Sequence, residues 1–184
     1  MATEPRDPRT GDRSVARVVY TAEQIRERVQ ALGADIHRTL DPADPLLLIG
    51  LLKGSFVFLA DLIREIPRPL EVEFLQVASY GSGTESSGTV EMIQEPQASL
   101  NGRSVVIVED IIDSGTTLRW LLPRLRARGP KRLEVCALLH KDKVTLEPPA
   151  RWVGFHAPNE FLVGYGLDHA EAFRHLPYVG ALKS

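Results

Sequence analysis

Three apolar runs constrain the fold of this chain more than any other feature. They are Leu46–Leu52, broken only by Gly50; Val105–Val108; and Leu133–Leu139, whose one polar member is Glu134. None shows the apolar–polar alternation of a strand with one wet face, so each reads as a strand buried on both faces. Helical patterns separate them. Thr21 opens a capping box with Gln24, and Ile25, Val29, Leu32 and Ile36 follow at helical spacing until Asp41-Pro42-Ala43-Asp44-Pro45 stops them. Phe56 to Ile66 reads as helix up to Pro67. Leu118, Leu121, Leu122 and Leu125 mark another helix, weakened by Pro123 and ended by Gly129-Pro130. Buried strands alternating with helices predict an α/β fold: a central, mostly parallel sheet flanked by helices.

The remainder is less regular. Leu70 to Ala78 alternates Val72 and Phe74 with Glu71 and Glu73, which predicts a strand, and Val90 to Gln94 predicts a short one. Short strands near Trp152–Phe155 and Phe161–Tyr165 lie among prolines and suggest a small lobe or cap. Residues 1–14 are polar and charged and read as a disordered leader; 15–184 read as a single domain.

Composition narrows the function classes. A net charge of −2 without a dense Lys/Arg run argues against nucleic acid as a partner. No apolar run is long enough to span a bilayer, and the N-terminus lacks the apolar core of a secretory signal, so no membrane partner is expected. The single cysteine, Cys136, cannot form an intrachain disulfide; it reads as an inert core residue and fits a reducing, cytoplasmic setting. The histidines at 37, 140, 156, 169 and 175 show no zinc spacing, and there is no Gly-x-Ser-x-Gly elbow.

The most informative segment is Val105-Val106-Ile107-Val108-Glu109-Asp110-Ile111-Ile112-Asp113-Ser114-Gly115-Thr116-Thr117-Leu118. A buried strand leads to two adjacent carboxylates, a short polar loop and then a helix. Ligands of open parallel sheets sit at the carboxyl ends of strands, and a helix N-terminus there favours phosphate. Gly115 would let the backbone approach closely, and Ser114, Thr116 and Thr117 add hydroxyls. The lysine of a Walker loop is absent. Glu109 and Asp110 would repel phosphate, but they make sense facing sugar hydroxyls, directly or through Mg²⁺ and its waters. The plainer alternative is a solvated acidic turn that caps a helix through Asp113 or Ser114.

This run resembles the phosphoribosyl pyrophosphate (PRPP) signature of the type I phosphoribosyltransferases, more narrowly that of the hypoxanthine-guanine members. The resemblance extends from about Val18 to Leu182. It implies a hood lobe built from the N-terminal segment and about 150–184. It also implies transfer of a phosphoribosyl group from PRPP to N9 of hypoxanthine or guanine with Mg²⁺, and a homodimer or homotetramer. Leu51-Leu52-Lys53-Gly54-Ser55 is similar to the family's pyrophosphate loop, where the bond before the lysine is typically cis. Ser79 to Thr89, with three Gly, four Ser and two Thr, reads alone as a linker; by resemblance it is a lid beginning Ser79-Tyr80.

The resemblance assigns the remaining roles. Lys141 would meet purine O6, which favours hypoxanthine and guanine, whose O6 accepts, over adenine, whose amino group donates. Phe161 would stack on the base, and the backbone of Leu162 would bond its edge. Asp168 would meet a second Mg²⁺ and Arg174 the pyrophosphate. Metal-facing acids would be Glu109, Asp110 and Asp168. Asp113 would act as general base or acid at N7. One departure stands out: Pro158-Asn159 replaces the family's common Pro-Asp. Two rivals stay open on sequence alone. One is a non-catalytic regulator that senses PRPP or nucleotides; the other is a sibling enzyme using xanthine, adenine or a pyrimidine.

Overall fold

A computed structural model describes residues 8–10, 15–80 and 89–182. The chain runs β1 (Val15–Tyr20), α1 (Ala22–Thr39), β2 (Leu46–Leu52), α2 (Phe56–Leu62), β3 (Glu71–Tyr80), β4 (Thr89–Gln94), β5 (Ser104–Ile112), α3 (Thr116–Arg126), β6 (Arg132–Lys141), β7 (Trp152–Ala157), β8 (Leu162–Val163) and β9 (Val179–Leu182). A six-stranded sheet has the order β4-β3-β2-β5-β6-β7. All its neighbours are parallel except the antiparallel β3–β4 pair.

The three apolar runs are its central strands, β2, β5 and β6. In β2, Leu47, Leu48 and Ile49 are fully buried. Each such side chain contributes about 1.5–3 kcal/mol by leaving water. Alternate residues serve opposite faces: Leu46 and Leu48 pack with α1 and α2, while Leu47, Ile49 and Leu51 pack with α3. The capping box forms as read, with Thr21 N–H donating to Gln24 Oε1 (2.9 Å) and Gln24 N–H to Thr21 Oγ1 (3.2 Å). Pro123 lies inside α3 without ending it. An interior proline costs about 3 kcal/mol; burying Leu118, Leu121, Leu122 and Leu125 outweighs it.

Several boundaries differ from the sequence reading. The helix expected over 56–66 is α up to Leu62 and 3₁₀ over Ile63–Glu65. β5 runs four residues past Val108 because its ladder with β6 continues: Glu109 pairs with Ala137, Ile111 with Leu139 and Ile112 with His140. β7 joins the large sheet beside β6, while a separate three-stranded sheet, β1-β9-β8, draws on both ends of the chain. Within the stretch expected to be a disordered leader, Pro8–Thr10 instead forms a 3₁₀ turn, with Thr10 buried and the Arg9 carbonyl 3.1 Å from His175 Nε2. The other residues of that stretch lie outside those described.

Strand order fixes where a ligand can sit. From β2 the chain crosses through α2 to β3 on one side; from β5 it crosses through α3 to β6 on the other. The two connections diverge at the adjoining carboxyl ends of β2 and β5, the switch point at which sheets of this kind bind ligands. Lys53 and Gly54 lie at one lip and Glu109–Asp113 at the other.

Candidate active site

The β5–α3 turn is built around Gly115, which caps α3 in the left-handed conformation (φ 71°) and makes no side-chain cap bond. A Cβ here would also sit 2.9 Å from Leu146 Cδ2 and 3.0 Å from Val144 Cγ1. Glycine is therefore demanded by backbone geometry and by packing from the β6–β7 connection. Neither Asp113 nor Ser114 is the N-cap. Instead Ser114 Oγ lies 3.1 Å from Thr116 Oγ1 and accepts from Thr116 N–H (3.3 Å), while Arg119 donates to Ser114 O and to Thr145 O (2.9 Å). No acidic residue sits in the helix's first turn, so its positive end is not neutralised from within. Glu109, Ile112, Asp113, Ser114, Gly115 and Thr117 line a concavity of about 90 Å³ there.

Both acids carry the cost of their position. Glu109 is buried, its Oε2 has no hydrogen-bond partner, and burial together with the Asp110 charge pushes its carboxyl well above the usual range. Asp110 is raised to about 6, chiefly by burial, against the opposing pull of backbone N–H groups and of Arg174. A buried carboxylate lacking a donor is costly unless something supplies one. A sugar hydroxyl or a hydrated divalent cation fits that deficit. Among the described residues no cluster of three or more His, Cys, Asp or Glu is placed to hold a metal alone. Mg²⁺ usually takes one or two carboxylates and completes its shell with substrate phosphates and water; Glu109 and Asp110 would be such a pair.

The opposite lip is in close contact with these acids. The Leu52–Lys53 peptide bond is cis. A Cβ on Gly54 would fall 1.6 Å from Asp110 Oδ2, and one on Gly166 would fall 2.0 Å from Gly54 O. Three distant segments therefore meet at two glycines, Gly54 against the Asp110 side chain and Gly166 against the Gly54 backbone, and only glycine allows it. On the third segment, Arg174 bonds Asp168 Oδ1 (2.9 Å) and Gly166 O (2.8 Å). Lys53 Nζ reaches both carboxylate oxygens of Glu171, at 3.1 and 3.2 Å, and holds that carboxyl below the usual range.

Beyond the turn, Lys141 ends β6 largely buried and pairs with Asp113 at 2.8 Å. Phe161 is 55 % exposed and meets His169 edge-on at 5.2 Å. Leu162 is buried in β8. Asn159 is exposed in the β7–β8 turn. Ser79 and Tyr80 close the β3 ladder, Tyr80 opposite Thr89; residues 81–88 of the expected lid lie outside those described. The turn, the lysine loop and the 166–174 segment thus converge, while Phe161 and Leu162 stand at the joint with the small sheet. Sequence reasoning missed Glu171, whose partner lies 118 residues away, and the glycine contacts of Gly54 and Gly166, which no local pattern announces.

The comparisons agree with this geometry. Residues 19–170 match the family model for the phosphoribosyl transferase domain. A hypoxanthine-guanine phosphoribosyltransferase of Mycobacterium avium is 44 % identical over 97 % of this chain and 90 % of its own length. One from Dictyostelium discoideum is 43 % identical over 90 % of this chain and 94 % of its own. The crystal structure of a hypoxanthine phosphoribosyltransferase from Staphylococcus aureus superposes with a TM-score of 0.85 at 41 % identity, covering 92 % of each chain. On the matched domain and these relatives, the chain belongs to the phosphoribosyl transferase family.

Proposed function

We propose that this site transfers the 5-phosphoribosyl group from PRPP to N9 of hypoxanthine or guanine, giving IMP or GMP and pyrophosphate. The observation that carries the reading is the 2.8 Å pair of Asp113 and Lys141 beside the β5–α3 turn. A 6-oxopurine presents N7 and O6 side by side on one edge, so neighbouring carboxylate and ammonium groups can address both. The amides and hydroxyls of Ser114–Thr117 would take the 5′-phosphate. Glu109 and Asp110 would face the ribose hydroxyls, and Lys53, Gly54 and Arg174 the pyrophosphate. Phe161 would stack on the ring, and Leu162 would bond its edge through the backbone.

In the chemical step, the N9 lone pair of the N7–H tautomer forms the bond to C1′ while the C1′–O bond to pyrophosphate breaks. The N7 proton passes to Asp113, and Lys141 steadies charge on O6. The nearby carboxylates favour the positive charge that develops on the ribosyl ring. Mg²⁺, held from the side of Glu109, Asp110 and Asp168, would neutralise the departing pyrophosphate. Ser79 and Tyr80 would begin the lid. No helix among the described residues is long and apolar enough to cross a membrane, and a cytoplasmic enzyme agrees with the one buried thiol, Cys136. The family resemblance implies a homodimer or homotetramer, which light scattering measures.

The test is purified chain with PRPP, Mg²⁺ and each of hypoxanthine, guanine, xanthine and adenine. Hypoxanthine should yield IMP. Asp113→Asn should lower turnover about 10²–10⁴-fold with little change in PRPP affinity; the reverse pattern would make Asp113 a binding residue.

A further inference from the structure

The two cations assigned to the leaving pyrophosphate both reach one carboxylate of the chain itself. Lys53 Nζ bonds both oxygens of Glu171, and Arg174 Nη2 lies 3.5 Å from Glu171 Oε2. A single carboxylate between two cations offers the charge and paired oxygens of a phosphoryl group. The contact is open to water, with the side chains of Lys53 and Glu171 56 % and 67 % exposed, so it is weak and exchangeable. The backbone nevertheless holds Glu171 in place: its φ is 61°, next to Ala170 at 50°, and its N–H donates to Asp168 Oδ2 at 2.9 Å. Left-handed conformations at two successive residues with side chains are uncommon and cluster where a site constrains them.

We propose that Glu171 is an internal stand-in for pyrophosphate. It occupies Lys53, and the edge of Arg174, when the cleft is empty; it yields them when PRPP enters and reclaims them as pyrophosphate departs. Arg174 is also held by Asp168 Oδ1 at 2.9 Å, whereas Lys53 meets Glu171 at both oxygens, so Lys53 is the cation proposed to change partner. Glu171 thereby weakens pyrophosphate and PRPP binding and hastens product release. This inference rests on the reading that Lys53 and Arg174 receive pyrophosphate.

Titration calorimetry of the full chain with inorganic pyrophosphate and Mg²⁺ tests it, using wild type, Glu171→Gln, Lys53→Ala and the double variant. Glu171→Gln should tighten pyrophosphate about two- to fivefold, the scale of an exposed ion pair, and Glu171→Ala should move it the same way. Lys53→Ala should weaken binding, and the gain from Glu171→Gln should shrink when Lys53 is absent. Weaker or unchanged binding in Glu171→Gln makes Glu171 a structural residue and overturns the proposal. A gain of equal size with and without Lys53 reduces it to plain charge repulsion and also overturns it. If Lys53→Ala binds pyrophosphate as wild type does, the assignment of the cleft itself is what fails.

Discussion

Replacing Asp110 with asparagine should make the free protein more stable while disabling it. The carboxyl is raised from an ordinary value of 3.8 to about 6, with burial the leading cause. That gap corresponds to roughly 3 kcal/mol against the ionised form, at 1.36 kcal/mol per pKa unit. Allowing for residual solvation, about 2 kcal/mol should be recovered, or roughly 4–8 °C in Tm for a chain of this size. Asparagine keeps the acceptor that Asp110 Oδ1 offers to Ile111 N–H at 2.9 Å. The pH dependence follows from the sign of the shift. The folded value lies above the unfolded one, so the penalty is fully present above pH 6 and fades as pH falls towards 4. Wild type should therefore gain stability over that window while the variant does not, and the Tm difference should close at acid pH. Differential scanning fluorimetry from pH 8 to 4.5, without Mg²⁺ or ligand, measures this. PRPP with Mg²⁺ should raise the Tm of wild type but not of the variant. A variant that melts below wild type at pH 8, or a Tm gap independent of pH, refutes the claim that this acid is held at a cost for the ligand's sake.

Two further outcomes follow from packing and hydrogen bonding. Gly54→Ala would place a methyl 1.6 Å from Asp110 Oδ2; the strain of overpacking is about 1–3 kcal/mol, and calorimetry should find PRPP affinity reduced at least about tenfold, because the methyl displaces Asp110 itself. Lys141→Met removes the donor proposed for O6, so kcat/KM for hypoxanthine should fall roughly 10–100-fold, the cost of an unpaired polar group. Adenine should then be rejected less strongly, and PRPP affinity should move less than about threefold.

The legible part of this molecule was the part encoded locally. Unbroken apolar runs marked β2, β5 and β6 because burial on both faces leaves no room for alternation. Thr21 and Gln24 marked the start of α1 because a capping box is a four-residue event. The polar turn at 113–117 was visible because helix entry, glycine and hydroxyls are neighbours in the chain. What escaped was set by tertiary contact. β5 outran its apolar core because β6 offered it a ladder. β1 and β9 went unread because each depends on the other across the length of the chain, through Val15 opposite Leu182. Asp113 and Lys141 were each legible as candidates, but their direct pairing was not, since it arises from two parallel strands ending side by side.

The small sheet has a consequence for the order in which the molecule assembles. The β5–α3 turn is framed by strands that precede or closely follow it, β2 and β6, both in place once the chain has passed residue 141. β8, which follows Phe161, pairs only with β9 among the described strands, and β9 pairs onward with β1. Joining the earliest strand to the last requires closing a loop that spans nearly the whole chain, which is slow and entropically costly. A nascent chain can thus complete the sheet around the β5–α3 turn well before the small sheet beside Phe161 exists; on the roles proposed for these two regions, mild denaturation should loosen selectivity for the base before it loosens hold on the sugar phosphate.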